Sequence, residues 1–402
     1  MDVEATGDDS SAAVGVPVRS PALLAILAST AIIPLGVPML SPILPVIRDH
    51  FGVGDPVASL VITTYFLPAV LLSPLIGVAV DRVGRRPVLV ASLLAWAVAG
   101  LVVGVGPAFD VVLLLRLVQG TAAASVLIVT VTLIGDRYTG IQRSAVIGGN
   151  VAALMVGAAV APLVGGVLVE YGWNVPFLLF AVGFPVALFV LYAIAEPERS
   201  PSRGGVEYLR GAVAALPLGP AIGLYGAAAT VEFVGFGAIV TAVPFVLAGD
   251  GVSPVVIGAV ITANLVAGAA VAANNGWFAK HLRNGQLVSA GFVLGGAGLL
   301  VAVVAEGPLQ FAGATAAFGV GYGLTFPSVD AQINAIVPST HRAGALSLRN
   351  SATFLGRGAG PVAFTTAAAV VGYRPVLAAA GGLVLVLGLL AVPFVGGVPG
   401  RH

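Results

Sequence analysis

The chain has 402 residues, 58% hydrophobic and only 9% charged, with a net charge of +1 and a mean hydropathy of +1.06. Soluble domains carry about 25% charged residues, so water is not the main solvent here, and a charge balance this even excludes a nucleic-acid or acidic partner drawn by a global field. Cysteine is absent, which removes disulfides, thiolate metal sites and cysteine nucleophiles.

Residues 1–20 place Asp2, Glu4, Asp8 and Asp9 ahead of Arg19, the wrong start for a secretory signal, and are expected to form a cytoplasmic tail. Beyond them, apolar stretches of about 20 residues, the length of a spanning helix, alternate with short polar or Gly/Pro-marked breaks. Runs such as 88–106 are continuously apolar, without the alternation of a membrane barrel. The predicted spans are 21–47, 57–79, 88–106, 109–134, 144–168, 176–195, 218–247, 255–278, 286–305, 309–336, 343–371 and 375–396, twelve in all. If span 1 starts inside, the inner loops and tails collect Arg19, Arg82, Arg85, Arg86, Arg137, Arg143, Arg199, Arg203, Arg210, Lys280, Arg283, Arg342 and Arg401, and the outer loops only Arg48 and Arg374. By the positive-inside rule both termini are then cytoplasmic and the chain sits in the cell membrane.

After span 2 the sequence reads GVAVDRVGRRPVL, in which Gly77, Asp81, Arg82, Gly84, Arg85 and Arg86 match the pattern G-x-x-x-D-R-x-G-R-R/K. Gly77 lets helices approach, Gly84 permits a tight turn, and Asp81 can accept hydrogen bonds from nearby Arg or helix-end N–H groups. This loop resembles the signature of the major facilitator superfamily. The resemblance implies an all-α membrane fold of two pseudo-symmetric six-helix bundles, with Asp81, Arg82 and Arg85 latching the halves at the cytoplasmic face.

Span 4 contains Arg116, Gln119 and Gly120, similar to the family's R-x-x-Q-G motif. An Arg inside a span costs about 2.5–3.5 kcal/mol on insertion scales and should face protein or a cavity. In proton-coupled members it is tied to proton transfer; snorkelling to the outer face is the alternative. Span 5 keeps Gly157, Pro162, Gly165 and Gly166 of a sequence resembling the antiporter signature, with Ala161 in place of one Gly. Small residues and Pro there allow close packing and a bend, and the resemblance favours export over uptake.

Residues 196–217 are polar and Gly/Pro-rich, a cytoplasmic linker between bundles 21–195 and 218–396, with 397–402 as a second tail. A shift of 199 residues places Pro21 on Pro220, Pro45 on Pro244, Pro162 on Pro361 and Pro176 on Pro375, where Pro abundance predicts about one coincidence. The halves are a parallel duplication, an architecture that rocks about a midplane site.

The second half carries ionisable residues inside its spans. At 1.5 Å per residue Glu232 in span 7 and Arg357 in span 11 both lie about 21 Å from the inner face, and Asp330 and Arg349 about 9 Å. Charges at such depth are rarely left unpaired, so Glu232 is expected to pair with Arg357 and Asp330 with Arg349. Protonation of Glu232 would then release Arg357 and shift the balance between arrangements of the halves, a static pair being the alternative.

Tyr225, Glu232 and Phe236 share one face of span 7, and Tyr322, Phe326 and Asp330 one face of span 10. In the family spans 1, 4, 7 and 10 line the central cavity, so the resemblance adds Thr30, Met39 and Gln119 to Tyr225, Phe236, Tyr322 and Phe326 as a substrate wall; core packing explains such stripes equally well. His50, His281, His341 and His402 lack metal-ligand spacing, and no Walker-type loop occurs. The expectation is a monomeric secondary transporter without cofactor, whose partners are a small molecule, protons and the bilayer. Proton-driven export of amphipathic compounds leads; a sugar, amino-acid or other metabolite permease and a nontransporting receptor are the alternatives.

Overall fold

The computed structural model describes residues 19–196, 218–338 and 341–394, so the two tails and nearly all of the linker fall outside it. Among the described residues every regular element is helical. The long elements are α1 Pro21–Phe51, α2 Asp55–Val83, α3 Arg85–Gly104, α4 Phe109–Arg137, α5 Gly140–Val169, α6 Val175–Ala193, α7 Gly219–Gly249, α8 Pro254–Ala273, α9 Asn284–Val304, α10 Pro308–Ile336, α11 Arg342–Val371 and α12 Tyr373–Phe394. Eleven are long and apolar enough to cross a membrane. The exception, α10, has 29 residues and one acid; its glycines, Tyr322 and Pro327 dilute its hydropathy without shortening it. Span 8 was expected to run to residue 278, but the chain breaks at Asn274 and a separate helix, Asn275–His281, carries the basic Lys280 and His281.

Two spans are interrupted where their sequence forbids continuous α-helix. Pro34, Pro38, Pro42 and Pro45 lack the N–H that an i to i−4 ladder needs, and α1 passes through tight turns at Ile33–Gly36 and Ser41–Ile43. In α7 a wide π-turn covers Gly235–Ala242, with the Thr241 hydroxyl donating to the Phe236 carbonyl at 2.8 Å. Such turns cluster at functional sites, and this one begins three residues after Glu232.

Packing repeats with the 199-residue period. In the first half α3 lies on α4, α2 on α4, α1 on α5 and α3 on α6; in the second α9 lies on α10, α8 on α10, α7 on α11 and α9 on α12. Each half has its own hydrophobic core, one centred on residues such as Trp96, Phe177 and Phe180, the other on Phe292, Phe311 and Phe318. The period holds at atomic detail. A side chain at Gly120 would strike the Tyr65 carbonyl, and one at Gly319, 199 residues on, would strike the Asn264 carbonyl, 199 residues after Tyr65. Glycine is needed at both points because two helix backbones touch there.

The halves meet along two related seams, α2 with α11 and α5 with α8. The Thr63 hydroxyl donates to the Gly358 carbonyl at 2.7 Å, and its counterpart Thr262 to the Ala159 carbonyl at 2.9 Å. Ser41 donates to the carbonyl of Val240, its own counterpart, at 2.6 Å. The Ser59 and Thr365 hydroxyls are 3.0 Å apart, and Tyr373 donates to Asp55 at 2.6 Å. All these bonds lie between mid-span and the face away from where α1 begins and α12 ends, here the far face.

Candidate functional site

Glu232 enters from α7, Tyr322 from α10 and Arg357 from α11. Arg357 grips the carboxylate with two donors, Nη2 to Oε1 at 2.6 Å and Nε to Oε2 at 2.9 Å, and the Tyr322 hydroxyl adds a bond to Oε1 at 2.9 Å. Both carboxylate oxygens are therefore engaged, and the Glu232 side chain is only 1% exposed against 25% for Arg357. Phe66, Phe236 and Phe354 place ring centres 5.9, 5.3 and 5.5 Å from the guanidinium carbon, within cation–π range. Phe66 comes from the first half, so the ion pair is held partly by the opposite bundle.

The trio lies on the wall of a cavity of about 260 Å³ between the bundles, with Asn264 and Tyr65 as further polar residues of the lining. The rest of the lining is almost wholly apolar, with Ile33, Val37, Phe66, Leu127, Ile239 and Phe318 among it. Counting back 199 residues from Glu232, Tyr322 and Arg357 gives Ile33, Ala123 and Ala158, and all three also line the cavity. The second-half wall thus carries an acid, a phenol and a guanidinium at positions whose first-half counterparts carry only hydrocarbon, and Tyr65 of the first half lies on the cavity with its own counterpart Asn264.

Both ion pairs expected from helix depth form. Arg349 contacts Asp330 at 2.5 Å and lies 4.5 Å over the Phe326 ring, which stacks on Tyr322 at 5.4 Å. Of the residues expected on the cavity wall, Phe236 and Tyr322 are there and the other five are not. Thr30 donates to Asn150 at 2.7 Å, and Met39 is buried against Gly165. Tyr225 donates to the Ala345 carbonyl at 3.0 Å, Phe326 packs as above, and Gln119 belongs to the Arg116 network. These side chains share the helix face expected of them but close inward on neighbours before reaching the open space.

Arg116 is fully buried and does not snorkel. It donates to the Val61 carbonyl at 2.9 Å, the Gly36 carbonyl at 2.5 Å and Gln119 at 2.8 Å, with its guanidinium carbon 4.3 Å from the Tyr65 ring centre. Its described partners are neutral, and the bond to Gly36 reaches the tight turn in α1. The cation is satisfied by the Gly36 carbonyl at the break in α1, the Val61 carbonyl of α2 and the Gln119 side chain.

A family model for the Major Facilitator Superfamily matches residues 26–227 and 225–401. The chain belongs to this superfamily. Its members are transporters, not enzymes. Multidrug resistance protein 1 of Bacillus subtilis is 28% identical to this facilitator over 169 residues, 42% of this chain and 43% of that one. A triacylglyceride transporter of Mycolicibacterium hassiacum is 36% identical over 174 residues, 42% of this chain and 32% of that one, and the quinolone resistance protein NorA of Staphylococcus aureus 26% over 171 residues, 42% and 44%. The matched stretch thus spans less than half the length of each curated relative. Among solved structures, a bacterial homologue of the human lysosomal transporter Spinster, inward-facing and unoccupied, superposes with a TM-score of 0.77 at 19% identity, covering 95% of this chain and 97% of that one. The nucleoside transporter NupG superposes at 0.79 with 12% identity, over 93% and 99%. These likenesses establish the fold.

In this facilitator the signature loop is built around Gly84, whose φ of 113° suits only glycine. The loop is anchored to its own half. Arg85 reaches Asp136 at 3.2 Å and Asp81 at 3.7 Å, Arg86 donates to the Leu191 carbonyl, and the Arg85 and Arg86 backbone N–H groups donate to the two Glu196 oxygens at 2.7 and 2.8 Å. Gly77 has open space beside it, and Arg82 is exposed. Glu196, assigned from sequence to the linker, instead caps α3 across the bundle; its carboxylate at the end of a hydrophobic span, opposite a Gly-Arg-Arg helix start, was the available signal. On α5, Gly157 and Gly165 lie against α1 at the Ala31 and Met39 carbonyls, while Gly166 meets Pro254 of α8 and the Pro162 carbonyl meets Gly258. The glycine and proline motif therefore touches both its own bundle and the other. Sequence reasoning missed Phe66, Phe354 and the hydroxyl bonds across the seams; applying the 199-residue shift to Thr63 and Thr262 would have singled those two out.

Proposed function

We propose that this facilitator is a proton-coupled exporter of small amphipathic compounds working by alternating access. The observation that carries the reading is the Glu232–Arg357–Tyr322 trio on one wall of a largely apolar cavity between the bundles. Glu232 is the proton carrier. When ionised it holds Arg357; when protonated it releases it, and the freed cation favours a different arrangement of the halves. Asp330 and Arg349, about two helical turns nearer the terminal face, serve as a second proton site or inner gate, and Arg116 as a brace for the turn of α1 through which that motion passes.

The moving bodies are residues 21–195 and 218–396, joined by linker 196–217. With both termini cytoplasmic in the plasma membrane, the bonds at the far face close the outer side, and the structure corresponds to an inward-facing form of the monomer. Asp81, Arg82 and Arg85 then latch the halves in the opposite form, when the terminal face closes. The motif of Gly157, Pro162, Gly165 and Gly166 supports export, as do relatives named for multidrug resistance, quinolone resistance and triacylglyceride transport. Proteoliposomes carrying an imposed pH gradient test the reading: wild type should move cargo against its gradient at the expense of protons, and Glu232→Gln should not. Full proton-driven export by that variant would remove Glu232 from the mechanism.

A further inference from the structure

Resting on that reading, we infer that the cargo of this cavity is an uncharged, largely apolar compound with few hydrogen-bonding groups, and that it competes with the proton by drying the cavity. The charge balance of the wall leads there. Glu232 and Arg357 together are neutral, and they are the ion pair on the cavity wall. A cationic or anionic cargo entering beside them leaves one net charge among side chains such as Ile33, Val37, Phe66 and Phe318, where a lone charge is costly.

A cation also finds little of Glu232 to reach, because its oxygens accept three bonds from Arg357 and Tyr322 and its side chain is 1% exposed. What the wall does offer is the Asn264 amide, whose nitrogen is spent on the Thr315 carbonyl, and the outer edge of Arg357. Nε and Nη2 are spent on the carboxylate, while Nη1 has no hydrogen bond among the described residues and the side chain is 25% exposed. That edge can donate to a carbonyl, ether or hydroxyl oxygen.

Competition follows from the same pair. Protonating Glu232 removes the counter-charge of Arg357 and leaves a guanidinium that needs water. A hydrocarbon body filling a cavity of about 260 Å³ excludes that water. Bound cargo therefore holds Glu232 ionised, and a bound proton holds the cavity wet, so that each ligand lowers the affinity for the other by the same factor. Exchange needs no direct contact between cargo and carboxylate. The other groups facing this site are Tyr322 on α10, Tyr65 across the cavity with Arg116 behind its ring, and the Asp330–Arg349 pair eight residues along α10 from Tyr322, about 12 Å away. Of these only Asp330 is an acid, and it has its own cation.

The test uses the full chain in lipid nanodiscs, with empty nanodiscs as blank, and three probes: neutral N-phenylnaphthylamine, the anionic anilinonaphthalene sulfonate built on a like skeleton, and the cation tetraphenylphosphonium as competitor. The neutral probe should bind about 100-fold more tightly than either charged one, a preference of the size that an uncompensated charge imposes. Its affinity should fall by up to about tenfold per pH unit as the medium is acidified. Glu232→Gln stands for the protonated acid, so it should bind the neutral probe weakly at every pH and gain affinity for the sulfonate. Glu232→Gln with Arg357→Gln removes both charges and should bind the neutral probe without pH dependence, which serves also if the single variant does not fold. Equal binding of a charged probe by wild type, or neutral-probe binding indifferent to pH, overturns the inference. Proton-driven flux of charged but not neutral probes in proteoliposomes would overturn it while leaving proton-coupled export intact, whereas no flux of any probe would overturn the exporter reading itself.

Discussion

Arg116 and Arg357 both lie inside spans, and they differ in burial and in their partners. Arg357 faces a carboxylate and open space, whereas Arg116 is spent on two carbonyls and an amide. Removing Arg116 leaves the Gly36 and Val61 carbonyls without their donor in a dry interior, and hydrogen bonds to charged groups are worth about 1.5–3 kcal/mol each. Arg116→Met should therefore destabilise the detergent-solubilised protein by about 3 kcal/mol, visible as a lowered thermal midpoint. Glu232→Gln puts a carboxamide of the same shape in place of the carboxylate and should abolish proton-driven transport. If instead Arg116→Met unfolds normally and loses only coupling, Arg116 is a proton-relay residue and not a brace. The R-x-x-Q-G motif made Arg116 visible in the sequence. It could not reveal the role, because the acceptors are backbone atoms of α1 and α2 that no side chain announces.

At the scale of helices, the contacts that set spacing are those where a side chain has no room. Gly120 and Gly319 each press on a neighbouring carbonyl at related places in the two halves. Gly120→Ala must push α4 away from α2, and overpacking of this kind costs about 1–3 kcal/mol. Gly148, within α5, has nothing beside it, so Gly148→Ala should leave stability unchanged to within about 0.5 kcal/mol; paired unfolding curves for the two variants check the contrast. Spans, halves and ion-pair partners were legible because hydropathy, the 199-residue repeat and helical rise each act over many residues. The five misplaced wall residues, among them Thr30 and Tyr225, were not. A helical face is fixed by spacing, but whether Thr30 opens on a cavity or is taken by Asn150 depends on a helix 120 residues away. The π-turn in α7 escaped for a like reason, since nothing in GFGAIVTA forbids an ordinary helix.

For the molecule as a whole, the seam bonds hold one face shut and cost little to break. Thr63→Val removes one hydroxyl bond across the seam, a net loss of about 1 kcal/mol. That changes the ratio of far-face-closed to far-face-open molecules about fivefold, and Thr262→Val should do the same from the other seam. Double electron–electron resonance between labels on the ends of α2 and α11 at the far face should record the longer distance gaining population in both variants; an unchanged distribution would mean that the seam is held by packing alone. Because the native chain has no cysteine, Ser59→Cys with Thr365→Cys gives a clean crosslink at hydroxyls now 3.0 Å apart. The oxidised pair should bind cargo yet carry none, and reduction should restore transport.

The matched positions of Glu232, Tyr322 and Arg357 against Ile33, Ala123 and Ala158 have a bearing on how such a molecule could be rebuilt. Helix packing is alike on both sides, so the main backbone difference at the site is that α1 has tight turns where α7 has its π-turn. Moving acid, phenol and base together to the opposite bundle, and blanking the originals with the aliphatic set, would give a left-for-right isomer of the transporter. Its coupling should survive if the frame alone positions the chemistry, and should vanish if the wide turn after Glu232 is a required accessory.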